Sequence, residues 1–213
     1  MLVIGLTGSI GTGKSTTAAM FAAHGIPVSD ADQVVHALYA KGGAAVVPVA
    51  AAFPGCEADG AIDRAKLAAM LLGNDEAFRR LEAIVHPLVR KAQRDFLKQV
   101  IDAHGRAAVL EIPLLFETRG NERCDVIVVT RARADIMRAR VLQRDGMSEQ
   151  KYETILARQM SDEEKRRRAH FIVDTGDGLE PARRQVGDIV KALAPLTGVA
   201  PADVLARFEG EHS

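Results

Sequence analysis

Gly8-Ser9-Ile10-Gly11-Thr12-Gly13-Lys14-Ser15 sets glycines, a lysine and a hydroxyl at the spacing G-x-x-x-x-G-K-[ST]. Glycines let backbone N–H groups turn inward and cradle phosphate oxygens, and the N-terminus of a following helix adds a favourable dipole. Lys14 brings a cation to the β- and γ-phosphates, and Ser15 offers a hydroxyl to Mg²⁺. An apolar run, Leu2 to Thr7, precedes the loop and an Ala-rich helix follows, which is the context such a loop requires. Gly11, Thr12, Gly13, Lys14, Ser15 and Thr16 are therefore read as the nucleotide-binding set, with Ser15 as the metal ligand.

Other residues suggest transfer chemistry. Asp32, in Asp30-Ala31-Asp32, follows a second short strand on the same rim as the loop. A carboxylate there can accept the proton of a substrate hydroxyl and orient it for in-line attack. The competing reading makes one of the two aspartates a helix cap, a role assigned to Asp30 or shared between them, with Asp32 favoured for the chemistry. Arg140 and Arg144 are four apart and share a helix face, where guanidinium forks could close over a triphosphate. The competing reading is a solvated basic face, and Arg166, Arg167 and Arg168 are left to it.

The elements that must position these groups alternate. Strands are expected at Leu2–Thr7, Ile26–Val28, Ala107–Ile112, Asp125–Thr130 and His170–Val173. Helices lie between them, which argues for a parallel sheet covered on both faces. Ligands of such sheets bind outside the carboxyl ends of the strands. Residues 56–104 read as a helical insertion: Asp63 can cap one helix, and Phe78, Leu81 and Val85 mark another. Pro87 lacks an N–H for the carbonyl of Ala83, so a break or kink is expected there, with a new helix opening at Pro87. Residues 131–168 hold eleven Lys/Arg against seven Asp/Glu, a local basic excess, and Ser161 with Glu164 forms a capping box. The expected fold is an α/β three-layer sandwich on a five-stranded parallel sheet. Its core is 1–55, 105–130 and 169–194, with the insertion at 56–104, a lid at 131–168 and a loosely held tail at 195–213.

With 213 residues, 47% of them apolar, the chain can build a sizeable core. Twenty-eight basic and 28 acidic residues balance, so no general attraction to nucleic acid or membrane is indicated. Cys56 and Cys124 are far apart, which fits a reducing compartment. No basic leader precedes the first strand and no apolar run reaches the length of a membrane span. A cytoplasmic protein, as a monomer, is expected. An N/T-K-x-D guanine motif is missing, and the third strand ends Glu111-Ile112-Pro113 rather than in a hydrophobic run closed by Asp. A GTPase and a motor ATPase are both disfavoured, and the small size, the helical insertion and the late Arg-rich stretch suggest a small-molecule kinase with a lid.

From residue 3 to about 190 the sequence resembles the dephospho-CoA kinase family. The resemblance rests on Leu6 through Thr16, Asp30-Ala31-Asp32, Gly60-Ala61-Ile62-Asp63-Arg64, His86-Pro87, Pro113-Leu114-Leu115-Phe116-Glu117, and Arg140 through Gln143-Arg144-Asp145. It implies a P-loop nucleotide-binding core, a helical CoA domain, a mobile lid, and the use of ATP and Mg²⁺ to phosphorylate dephospho-CoA. It also implies that Asp32 is the base and that Arg140 lies over ATP. Arg64, His86, Arg90, Leu115 and Glu117 would contact the acceptor. A packed interior histidine is the rival for His86, and a strand end with a capping acid is the rival for Leu115 and Glu117. The chain departs from the family at Asp174-Thr175-Gly176-Asp177-Gly178, where an asparagine-rich turn is common near adenine, and at Glu111, where Asp is common. Two alternatives remain open: a P-loop kinase for another small hydroxyl compound, such as a nucleoside, nucleotide or sugar acid, and a nucleotide-dependent switch without transferase activity.

Overall fold

Seven consecutive buried residues, Leu2–Gly8, form β1, as expected of a central strand covered on both faces. After it come α1 (Lys14–Ala23), β2 (Val28–Asp30), α2 (Ala31–Tyr39) and α3 (Val46–Ala52). A small hairpin, β3 (Glu57–Ala58) and β4 (Ala61–Ile62), leads to α4 (Arg64–Leu71) and α5 (Asp75–Asp102). Next are β5 (Ala107–Glu111), a 3₁₀ turn (Gly120–Arg123), β6 (Val126–Arg131), α6 (Ala134–Leu142), α7 (Glu149–Ala157) and α8 (Asp162–Arg167). The chain continues through β7 (Phe171–Asp174), α9 (Leu179–Leu193) and α10 (Pro201–Ala206). The computed structural model describes residues 1–209. They divide into two compact units.

The first unit is Met1–Asp30 with Leu97–Arg207. Its five strands are all parallel, in the order β2-β5-β1-β6-β7. Side chains of a strand alternate between faces. Leu2, Ile4, Leu6, Val126 and Val128 accordingly join one core with Phe21 of α1 and with Val186, Ile189 and Leu193 of α9. Ile127 and Val129 join a second core with Leu115 and Phe116. The chain leaves β1 toward one edge, through β2 and β5, and later crosses to β6 and β7 on the other. The carboxyl end of β1 is thus the switch point where a ligand is expected.

β2 starts at Val28, later than the run Ile26-Pro27-Val28 suggested. Pro27 has no N–H to give a ladder, and contributes its carbonyl to Val109 N at 2.8 Å. The described tail is also held more firmly than its composition suggested. Val199 N donates to the carbonyl of Met1 at 3.1 Å, Val204 is fully buried, and Arg207 Nη1 donates to Asp125 Oδ1 at 2.7 Å. The other Asp125 oxygen accepts from Val3 N at 2.8 Å, so one carboxylate ties the tail to β1. Arg207→Ala is expected to cost about 1.5–3 kcal/mol, the range for hydrogen bonds to charged groups, read as a lower urea midpoint at unchanged slope.

The second unit is Ala31–Phe96, with Phe208 and Glu209. It begins at Ala31, upstream of the boundary at residue 56 expected for the insertion. Its core gathers Tyr39, Val46, Val49, Phe53, Ile62, Leu67 and Val85. Asp63 caps α4, accepting from Ala65 N and Lys66 N at 3.0 Å each. The expected break at Pro87 does not occur: α5 runs through it for 28 residues. One hydrogen bond is forfeited, but Leu81, Ile84, Val85, Leu88 and Val89 on both sides of the proline pack on the same core and hold the helix together. Among the described residues, no helix is long and apolar enough to cross a membrane.

Candidate active site

The phosphate loop leaves the carboxyl end of β1 under tight restraint. Thr12 Oγ1 lies 2.7 Å from the Ser9 carbonyl and 2.7 Å from Thr130 Oγ1, which sits near the end of β6. A Cβ on Gly8 would lie 2.2 Å from Thr130 Oγ1, so only glycine lets the two threonines meet there. Gly11 adopts φ +82°, and a Cβ there would lie 2.5 Å from the Met137 carbonyl of α6. Both the left-handed backbone and the close approach require glycine. Gly11→Ala is expected to cost about 1–3 kcal/mol in strain and to weaken nucleotide binding, checked by thermal melting and ADP titration.

Lys14, at the start of α1, turns its ammonium back to the Gly8 carbonyl at 3.1 Å. Ser15 Oγ donates to Glu111 Oε1 at 2.9 Å, where β5 ends beside β1. Hydroxyl and carboxylate are hard oxygen donors, and Mg²⁺ is usually held by one or two carboxylates plus substrate phosphates. Ser15 and Glu111 therefore fit that ion, although Glu111 stands where Asp is common in the family. Among the described residues no group of three or more His, Cys, Asp and Glu forms a denser cage.

Arg140, on α6, is docked against the loop that follows β7. Its Nη1 donates to Thr175 Oγ1 at 2.9 Å and its Nη2 to the Thr175 carbonyl at 2.8 Å. Thr175 Oγ1 in turn donates to the Thr12 carbonyl at 2.8 Å. One threonine thus ties the arginine helix to the phosphate loop. Reading the sequence missed it, since Thr175 registered only as a departure from an asparagine turn. Asp174 is engaged as well: Oδ2 accepts from Arg131 Nε at 2.7 Å and Oδ1 from Gly176 N at 2.9 Å. A cleft of about 280 Å³ opens here, lined by Gly11, Gly13, Thr16, Arg140, Arg144 and Thr175, with an apolar wall of Met20, Leu179 and Ala182. Its lining combines phosphate-matching groups with apolar side chains, the mix a nucleotide site needs.

The remaining expected site residues are distributed as follows. Asp32 is exposed in the first turn of α2, and Arg64 is exposed at the start of α4. His86 and Arg90 lie on one face of α5, because the helix is unbroken; His86 is 42% exposed, outside the core, with Nε2 3.9 Å from Glu82. Leu115 and Glu117 differ from expectation. The Leu115 side chain is wholly inside the core with Phe116, Ile127 and Val129. Glu117 Oε1 accepts from Met160 N at 2.7 Å and lies 3.4 Å from Lys165 Nζ. Packing of the segment after β5 under the 160–165 stretch turns both side chains inward, and the sequence carries no local signal of that long-range contact.

The dephospho-CoA kinase family model matches residues 2–180. A dephospho-CoA kinase of Mesorhizobium japonicum is 56% identical over 198 residues, 93% of this chain and 100% of the relative. That of Agrobacterium fabrum is 53% identical over 193 residues, 91% of this chain and 98% of the relative. Among solved structures, TT1252 from Thermus thermophilus superposes with a TM-score of 0.81 at 31% identity, covering 92% of this chain and 98% of that one. Identity above half along nearly the whole length, on a sheet whose switch point carries the phosphate loop, leaves one assignment: the chain belongs to the dephospho-CoA kinase family.

Proposed function

We propose that this protein transfers the γ-phosphoryl group of ATP to the ribose 3′-hydroxyl of dephospho-CoA, giving CoA and ADP. The reading is carried by the phosphate loop at the switch point of a chain that matches the family from residue 2 to residue 180. The backbone of Gly11–Thr16 cradles the phosphates, and Lys14 leaves the Gly8 carbonyl to neutralise the β- and γ-phosphate oxygens. Asp32 accepts the proton of the attacking hydroxyl; that oxygen forms the new bond to phosphorus as the bond to the ADP oxygen breaks. Arg140 and Arg144 balance charge on the nucleotide side of the reaction, and Arg140 is preorganised for this by Thr175. Arg64, His86 and Arg90 supply cationic and hydrogen-bonding groups for the acceptor's phosphates and ribose.

Ser15 and Glu111 would hold Mg²⁺, which when bound supplies electrostatic stabilisation to the phosphate oxygens. The base is read by the apolar wall of Met20, Leu179 and Ala182 and by backbone groups of the 176–179 turn, since Asp174 and Thr175 are engaged elsewhere. A monomer in the cytoplasm, where Cys56 and Cys124 stay reduced, completes the reading.

The test is ADP release from Mg-ATP with and without dephospho-CoA, against a panel of nucleosides, nucleotides and sugar acids. Stimulation by dephospho-CoA alone, with CoA as product, is expected. Stimulation by a different hydroxyl compound would keep the phosphotransfer and overturn the acceptor.

A further inference from the structure

The stretch after α7 reaches the phosphate loop at a point that the phosphoryl-transfer roles above do not use. Gln159 Oε1 accepts a hydrogen bond from Ile10 N at 2.9 Å. Ile10 N belongs to the same peptide plane as the Ser9 carbonyl. That carbonyl accepts from Thr12 Oγ1 at 2.7 Å and from Thr12 N at 3.2 Å. The Ser9–Ile10 peptide is therefore pinned at both ends. The next residue is Gly11, at φ +82°, so a flexible glycine follows directly on the pinned peptide.

Gln159 is itself fixed from behind. Its N–H donates to the Leu156 carbonyl at 3.1 Å, closing the last turn of α7. Met160 N donates to Glu117 Oε1 at 2.7 Å. Ser161 Oγ caps α8 through Glu164 N at 3.2 Å, and Lys165 of that helix places a wholly buried ammonium 3.4 Å from the same Glu117 oxygen. These contacts fix the main chain that presents the carboxamide to the loop.

We infer that Gln159 is a positioning residue for the phosphate loop, and that the Gln159–Lys165 stretch, anchored on Glu117, holds the loop in its nucleotide-binding shape. Without the carboxamide the Ser9–Ile10 peptide samples other orientations, and the binding-competent fraction of the loop falls. The effect falls on the nucleotide and spares the acceptor. Only the identity of the acceptor in the test rests on the kinase reading above.

The experiment is calorimetric titration of Mg-ADP into the full-length protein and two variants, Gln159→Met, which keeps the side chain's bulk without a comparable acceptor, and Gln159→Ala. Steady-state kinetics for both substrates and urea unfolding accompany it. The ADP Kd and the KM for ATP are expected to rise about tenfold in both variants, the equivalent of one lost hydrogen bond. The KM for dephospho-CoA stays within about twofold. An unchanged ADP Kd in Gln159→Met overturns the proposal. So does an equal loss for both substrates that tracks lowered stability, because that marks a merely structural side chain. If Gln159→Ala fails to fold, the methionine variant decides. If the wild-type protein binds ADP but leaves dephospho-CoA unphosphorylated, the acceptor assignment fails while the ADP titrations still decide the role of Gln159.

Discussion

Asp32→Asn is expected to lower turnover by about 10²–10⁴-fold, the range for removing a positioned general base. The substitution is nearly isosteric and keeps a hydrogen-bonding side chain, but a carboxamide cannot take the proton of the attacking hydroxyl. The phosphate loop is untouched, so the KM for ATP should stay within a few-fold, and the loss should appear in kcat and kcat/KM together. The rival role, helix capping, makes a different forecast. Asp32 is the second residue of α2, so the position that would cap the helix falls to Asp30. A capping aspartate replaced by Asn, itself a good cap, would change neither stability nor rate by much. A variant that turns over normally removes the base assignment.

Lys165→Ala is expected to be strongly destabilising. The Lys165 side chain is 0% exposed and that of Glu117 18% exposed. Removing one partner of a buried ion pair leaves the other charge uncompensated, at about 3–5 kcal/mol. For a chain of this size that corresponds to a fall in Tm of about 6–20 °C. Lys165 Nζ and Glu117 Oε2 are buried without hydrogen-bond partners, so the pair is costly to keep as well as costly to break. Lys165→Met also leaves Glu117 uncompensated, and adding Glu117→Gln to it should therefore recover much of that variant's loss, giving a large favourable coupling in a double-mutant cycle of urea midpoints. Additive losses would show that the two side chains contribute separately.

The two expectations separate the site by origin. The phosphate loop, the apolar strands and the caps at Asp63 and Ser161 were all legible along the chain. Each depends on residues within a few positions of one another: glycines that permit positive φ, alternating or continuous apolar runs, and side-chain oxygens two or three residues before a free helical N–H. Family resemblance added what such spacing cannot give, the identity of the acceptor.

Tertiary structure decided the rest. Pro87 stays inside α5 because apolar contacts on both sides of it outweigh one lost hydrogen bond. Leu115 and Glu117 turn inward because the 160–165 stretch packs over them. The described tail is held by Asp125 and Met1, more than seventy positions away along the chain. Thr175 and Gln159 escaped notice for the same reason. Their partners, Thr12, Arg140 and Ile10, are separated from them by 163, 35 and 149 positions. A motif records the groups that meet the ligand. The groups that hold the motif in shape are chosen by which distant side chain the fold brings within hydrogen-bond reach.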